Sequence, residues 1–275
     1  RAAAMAIVGA GSAPQKDRLA RRAADDADWM LVSAEAGASV PEPAASQWLA
    51  RLDAQNAEEP AALAVARAWV ILAERSGDAD HAARAVRIIG QRQWDDTRVG
   101  TARRLEASAL RLLGRLDESE AAYRAALEAS PNDWGAAGAL AELLLESGRA
   151  REAVSEAARL RGHVMADPTA PALARRTSAD LLARCQIAAG LIDDASRTII
   201  EARAGASGNP AIESRRMEIA ALRGDAREVE SAIRAIAADA GRIPAALSVA
   251  DRLDESSPAA AVLVLEAAVR IAPSM

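Results

Sequence analysis

The chain has 275 residues, of which 34 are basic and 39 acidic, and 51% are hydrophobic. With 27% charged residues beside that hydrophobic share it can fold and stay soluble, and at a net charge of −5 it lacks the overall basic excess of a nucleic-acid binder. Aromatic residues are only 2% and Phe is absent, so the core is built from Ala, Leu, Ile and Val, which suits closely paired helices.

Residues 1–14 read as an irregular lead-in. The chain starts at Arg1 without a methionine, which reads as a trimmed or processed fragment. Residues 2–11, AAAMAIVGAG, are apolar but too short to span a bilayer. Packing on or before the first helix pair is the favoured reading, and the end of a longer anchor or signal segment is the alternative. Gly9 to Pro14, GAGSAP, half resembles a dinucleotide loop. Pro14 stands where the third glycine belongs, and no alternating strands follow.

A helix is expected over 15–31, with Leu19, Ala23, Ala27 and Met30 on one face. Gly37, Pro41 and Pro43 mark a loop, and 44–54 carries Trp48 and Leu52 at i, i+4. Pro60 opens a helix over 61–76, and Gly77 closes it. Its mate runs over 79–89 with Ala82, Val86 and Ile89 inward, followed by a turn over 90–96 holding Trp94. Residues 97–129 form a helix, a Gly114 turn and a second helix, and Pro131 stops the pair. Asn132 and Asp133 offer a cap for 134–147; Gly148 and a helix over 150–161 come next. A wider break spans 162–170. Pro171 opens a helix that ends before Gly190, and 192–202 returns. Helices are then expected over 212–223, 226–237, 244–253 and 258–271. In this reading all eleven prolines lie at helix starts, ends or loops. A proline inside a helix costs about 3 kcal/mol, so their placement is a check on it.

The inter-helix glycines Gly77, Gly114, Gly148, Gly190 and Gly224 are spaced by 37, 34, 42 and 34 residues. Five positions after them stand Ala82, Ser119, Ala153, Ala195 and Val229. Seven before them stand Val70, Ala107, Ala141, Ala183 and Met217. This pattern resembles the tetratricopeptide repeat, a 34-residue helical hairpin with small residues where its helices cross. Tyr123 matches the family's aromatic of the second helix, whereas Val86, Ala157, Ile199 and Ile233 replace it elsewhere. Pro131 and Pro273 match the closing proline. Val70, Met217 and Val229 depart from the small-residue rule, so the hairpin around Gly224 matches least. The resemblance covers residues 60–273, and 15–55 more weakly.

The resemblance implies an all-α, right-handed α–α superhelix of about seven hairpins over 15–275. It also implies a concave surface lined by the first helix of each pair. Carried over, its groove positions are Arg67, Ile71, Glu74 and Arg75, then Arg104, Ser108 and Arg111, then Glu142 and Glu146, Asp180 and Arg184, Ser214 and Glu218. Arginines there suit bidentate bonds to the carboxylates of an extended peptide; the alternative is a solvated face with intrahelical pairs. The lysine and asparagine clamp of some members is absent: Lys16 is the only lysine, and the asparagines are Asn56, Asn132 and Asn209.

No catalytic or metal cluster is readable. His81 and His163 are expected on the surface, His163 past a helix end. The single cysteine, Cys185, excludes an intrachain disulfide and reads as a small buried hydrophobe. The acid pairs Glu58–Glu59, Asp95–Asp96 and Asp193–Asp194 precede or open helices, where negative charge is favoured; Asp25–Asp26 is a further pair. Trp94, in a turn, is a candidate interface hot spot, with packing over the adjacent hairpin as the alternative.

The reading is therefore a non-catalytic adaptor that holds a partner peptide or helix in the groove, with no cofactor, metal or nucleic acid. A structural subunit of a larger complex is the alternative, with membrane contact through residues 2–11 or a membrane-protein partner. Arginine in place of nearly all lysine suggests a GC-rich bacterial source, where cytoplasm and periplasm both fit. The short last hairpin suggests a parent chain that runs past Met275.

Overall fold

The computed structural model describes Ala50 and residues 59–204, 208–236 and 239–271. The expected lead-in and the hairpin over 15–54, with Trp29 and Trp48, lie outside the described residues apart from Ala50. So does Pro273.

Twelve α-helices form among the described residues, and no strand does. They are α1 Glu59–Ser76, α2 Ala79–Gly90, α3 Val99–Leu112, α4 Leu116–Ala129, α5 Trp134–Glu146 and α6 Ala150–Ala166. Then come α7 Ala172–Ala188, α8 Ile192–Arg203, α9 Pro210–Leu222, α10 Ala226–Ala235, α11 Asp239–Asp254 and α12 Pro258–Ile271. Consecutive helices pack as hairpins in α1–α2, α3–α4, α7–α8, α9–α10 and α11–α12. The chain divides into two compact units, 1–139 and 140–275, with the boundary inside α5.

The turns explain the pairing. Gly77, Gly114, Gly148, Gly190 and Gly224 all have φ between 70° and 75°. In that left-handed region a side chain is strained and glycine is not. At Gly114 the glycine N–H bonds the Arg111 carbonyl (2.9 Å), and the next N–H bonds the Leu110 carbonyl (3.0 Å). Gly148, Gly190 and Gly224 repeat this pair of bonds, a Schellman stop that satisfies the last helical carbonyls.

Gly190→Ala should therefore lose about 1–2 kcal/mol of stability, although open space surrounds the new methyl group. Gly162→Ala should gain about 0.5–1 kcal/mol, because Gly162 lies inside α6 with equal room. Paired urea titrations check both signs.

The crossing positions are packed as the repeat pattern requires. Ala82, Ser119, Ala153, Ala195 and Val229 are fully buried, as are Ala107, Ala141, Ala183 and Met217; Val70 is nearly so. Ser119 donates to the Ala107 carbonyl across the α3–α4 crossing at 2.7 Å. In the first unit the core joins Trp69, Val70 and Ala73 of α1, Ile88 and Ile89 of α2, and Ala102 and Leu105 of α3. In the second, Ile199 of α8 packs with Ile212 and Ile219 of α9, and a larger cluster joins α9 to α12.

The structure departs from the sequence reading at α6, α2 and α11. Helix α6 runs on to Ala166, so Gly162 is helical. Val86 is half-buried, and Ala85 and Ile88 share the inward face of α2 instead. Helix α11 begins at Asp239, which puts Pro244 inside it and breaks the expected rule for prolines. The ring sits in the second turn, just past the first four N–H groups that lack helical partners, so it costs the helix one hydrogen bond. Arg242 anchors that start by donating to the Ile236 carbonyl (3.1 Å), and Ile243 packs on the core beside it.

Candidate functional site

The carried-over groove residues lie on the first helices α1, α3, α5, α7 and α9. On α1, positions 67, 71, 74 and 75 share one face by helical spacing. Arg67, Glu74 and Arg75 are exposed there and Ile71 is half-buried. Positions 104, 108 and 111 form one face of α3, which packs beside α1; all three are half-buried.

Not every arginine on this face is held alike. Arg104 donates from Nε to Asp133 (2.9 Å), and Asp133 accepts the Ala136 N–H (3.0 Å), capping α5. Arg104 is thus part of a helix-start joint. Ser108 lies 3.0 Å from the Tyr123 hydroxyl and donates to the Arg104 carbonyl at 3.1 Å.

In the second unit the charged first-helix positions answer one another across helices. Arg184 of α7 reaches Glu142 of α5 at 3.3 Å. Arg215 of α9 grips Asp180 of α7 with Nε (2.9 Å) and Nη2 (3.4 Å), and donates to Glu218 at 2.5 Å. Arg252 of α11 adds a bond to Glu218 at 3.2 Å. Asp180, Arg215, Glu218 and Arg252 thereby tie three successive first helices together. Arg215 and Arg252 were not among the expected groove residues. Their signal was opposite charge about one repeat apart, 35 residues for Asp180–Arg215 and 34 for Glu218–Arg252.

A second feature has no counterpart in the sequence reading. A cleft of about 780 Å³ opens between α8, α9 and α10, lined by Ile199, Ile200, Ile219, Arg203, Arg216 and Arg223 among others. Beneath it the fully buried Glu213 accepts from Arg203 Nε (3.0 Å) and Arg216 Nη1 (2.8 Å). Arg216 also donates to Glu228 (2.5 Å) and Ser231 (2.7 Å). Burial works against its charge, but the two glutamates outweigh it and hold its pKa above the ordinary arginine value. Arg223 bonds Asp193 and Ser196. The cleft is therefore walled by charges already balanced from within.

The remaining candidates fall as follows. Trp94 is half-buried against the first-unit core, with its Nε1 donating to the Ile89 carbonyl (3.1 Å). His81 is buried, not exposed as expected. Its ring stacks on Trp69 with centroids 5.2 Å apart, and Nδ1 lies 3.1 Å from Ser76 Oγ, so the ring closes the α1–α2 turn. His163 is exposed within the last turn of α6, not past the helix end as expected, because the helix runs on to Ala166. Cys185 is buried, and that burial pushes its thiol pKa up to about 11.

Asp193 and Asp194 lie in the first turn of α8. Asp95 accepts from the Thr97 hydroxyl and from the Thr97 and Arg98 N–H groups before α3; the hydroxyl bond is the main cause of its lowered pKa. Among the described residues no cluster of three or more His, Cys, Asp or Glu is placed to hold a metal, and no helix is long and apolar enough to cross a membrane. The GAGSAP stretch, Lys16, Asn56, Glu58 and Asp25–Asp26 lie outside the described residues.

A tetratricopeptide repeat family model matches residues 110–176. Among curated proteins, none matches the chain. Solved structures share its fold. The C-terminal part of a TPR repeat-containing protein from Cytophaga hutchinsonii aligns with a TM-score of 0.60, over 92% of this chain and 96% of that one, at 9% identity. A tetratricopeptide repeat protein from Parabacteroides merdae aligns at 0.57, over 92% and 94%, with 12% identity. PilW, a widely conserved type IV pilus biogenesis factor, aligns at 0.50, over 76% and 95%, with 17% identity. The chain is all-α, and its hairpins have the tetratricopeptide-repeat fold.

Proposed function

We infer from these tetratricopeptide-repeat hairpins that the chain is a non-catalytic scaffold that captures a protein partner. The partner contributes an acidic peptide or helix, and the face that receives it is the first-helix face of α1 and α3. One contrast carries this reading. In α7, α9 and α11 the charged first-helix positions bond one another, whereas Arg67 and Arg75 stand exposed on α1 with Ile71 between them. Exposed arginines around a half-buried aliphatic side chain suit bidentate bonds to carboxylates flanking an apolar anchor. A structural subunit of a larger assembly is the second reading, favoured by the aliphatic side chains left open on α11 and α12.

The test is affinity capture from the source cell by the wild type and by Arg67→Glu/Arg75→Glu. Both positions are exposed, so helicity should be unchanged. Arg104→Glu is unsuitable, because it would break the Asp133 joint. A partner recovered by the wild type and reduced at least about tenfold by the double variant supports the reading, since losing charge-assisted bonds typically costs more than 1.4 kcal/mol. Equal recovery by both contradicts it.

A further inference from the structure

We propose that the cleft between α8, α9 and α10 binds an aliphatic acid with a single negative charge. Its carboxylate is held by the open edge of Arg203, and its chain lies over Ile199, Ile200 and Ile219. The site uses other helices than the partner-capture face, and neither reading depends on the other.

Two positions set this part of the chain apart from its sister repeats. Eleven residues before the turn glycines stand Ala66, Arg103, Ala137, Ala179 and Glu213. The three alanines are buried, and so is Glu213. A buried carboxylate where the fold accepts alanine is not a packing requirement, and it costs desolvation unless cations answer it. Ten residues after the same glycines stand Arg87, Arg124, Ala158, Ile200 and Arg234. Ile200 is thus aliphatic where three sister helices carry arginine, and it is 66% exposed on the wall of the cleft.

Glu213 orients the cations. Its two oxygens take Arg203 Nε (3.0 Å) and Arg216 Nη1 (2.8 Å). Arg216 spends its other nitrogens on Glu228 and Ser231. Arg203 has no further bond among the described residues, and its side chain reaches solvent. Its two terminal nitrogens therefore stay open along one edge, the geometry that takes a carboxylate bidentately. The buried glutamate holds that edge in place before any ligand arrives, which lowers the ordering cost of binding.

The rest of the cleft limits what the anion carries. Arg203, in the last turn of α8, meets Glu213 at the start of α9; Arg223, at the end of α9, meets Ser196 near the start of α8 (3.1 Å). The two guanidinium groups mark opposite ends, about 10 Å apart by the helical rise from Ser196 to Arg203. Between them lie Ile199, Ile200, Ile219 and Ala220. An extended peptide would set its backbone N–H and C=O groups against these aliphatic side chains without partners, whereas a hydrocarbon chain has none to satisfy. Asp225 and Glu228 line the α10 side, so a second negative charge on the ligand would face carboxylates. The volume of about 780 Å³ lies within the range of roughly 300–1,000 Å³ usual for small-molecule sites.

The test is isothermal titration calorimetry of the full chain with sodium octanoate, and with octanol and acetate, which lack the charge and the chain respectively. Octanoate is expected to saturate a single site, at least about tenfold more tightly than octanol or acetate. Ile200→Asp puts a further carboxylate on the wall at an exposed position, so circular dichroism should be unchanged while octanoate affinity falls at least about tenfold. Arg203→Gln should bring octanoate down to the affinity of octanol. Leu173→Asp, a similarly exposed change on α7, should leave binding as it is. No saturable binding, equal affinity for octanoate and octanol, or octanoate binding indifferent to Ile200→Asp overturns the proposal.

Discussion

Glu213→Ala is expected to lower the unfolding free energy by about 3 kcal/mol, the lower end of the range for breaking a buried ion pair. The carboxylate is fully buried and accepts from Arg203 and Arg216 at 3.0 and 2.8 Å. Without it, two guanidinium groups lose their shared acceptor. The loss stays at the lower end because Arg216 keeps Glu228 and Ser231, and the Arg203 side chain is 41% exposed to water. Asp193→Ala removes the carboxylate that faces Arg223 and should change little, since Asp193 is 92% exposed. Urea titrations of the two variants check the contrast; equal losses would mean that burial does not set the worth of these pairs.

Tyr123→Ala should cost about 3–5 kcal/mol, as other aromatic-to-alanine changes in cores do. Tyr123 is among the largest fully buried side chains and packs where α3 and α4 meet. The hydroxyl, 3.0 Å from Ser108, is the smaller part of that value. Tyr123→Phe keeps the ring and should lose only about 1 kcal/mol, the net worth of an ordinary hydrogen bond. Thermal unfolding of the pair separates ring from hydroxyl, and a Phe variant as unstable as the Ala variant would reverse that assignment.

The hairpins were legible because their constraints are local. A left-handed turn needs glycine, so Gly114 can be read from local pattern, and a close helix crossing needs small residues, at positions such as Ser119 and Ala107 that the resemblance to the tetratricopeptide repeat implies. Pro244 was misread because tertiary packing of Ile243 and the bond from Arg242 outweigh a local preference. His81 was misread because the first turn of a helix is usually exposed, while here a tryptophan one helix away covers the ring.

The charged face was half legible. Position on the first helix was readable, but pairing was not, because Asp180–Arg215 and Glu218–Arg252 join residues a repeat apart through long side chains. The cleft over Glu213 left no local trace, since three helices contribute to it.

Hydrogen–deuterium exchange of the chain with and without its captured partner tests whether the α1 and α3 face receives it. Slowed exchange is expected in peptides covering 62–76 and 102–112, the first helices α1 and α3, with little change in α2 and α4. Protection confined to the second helices, with α1 and α3 unchanged, would contradict it.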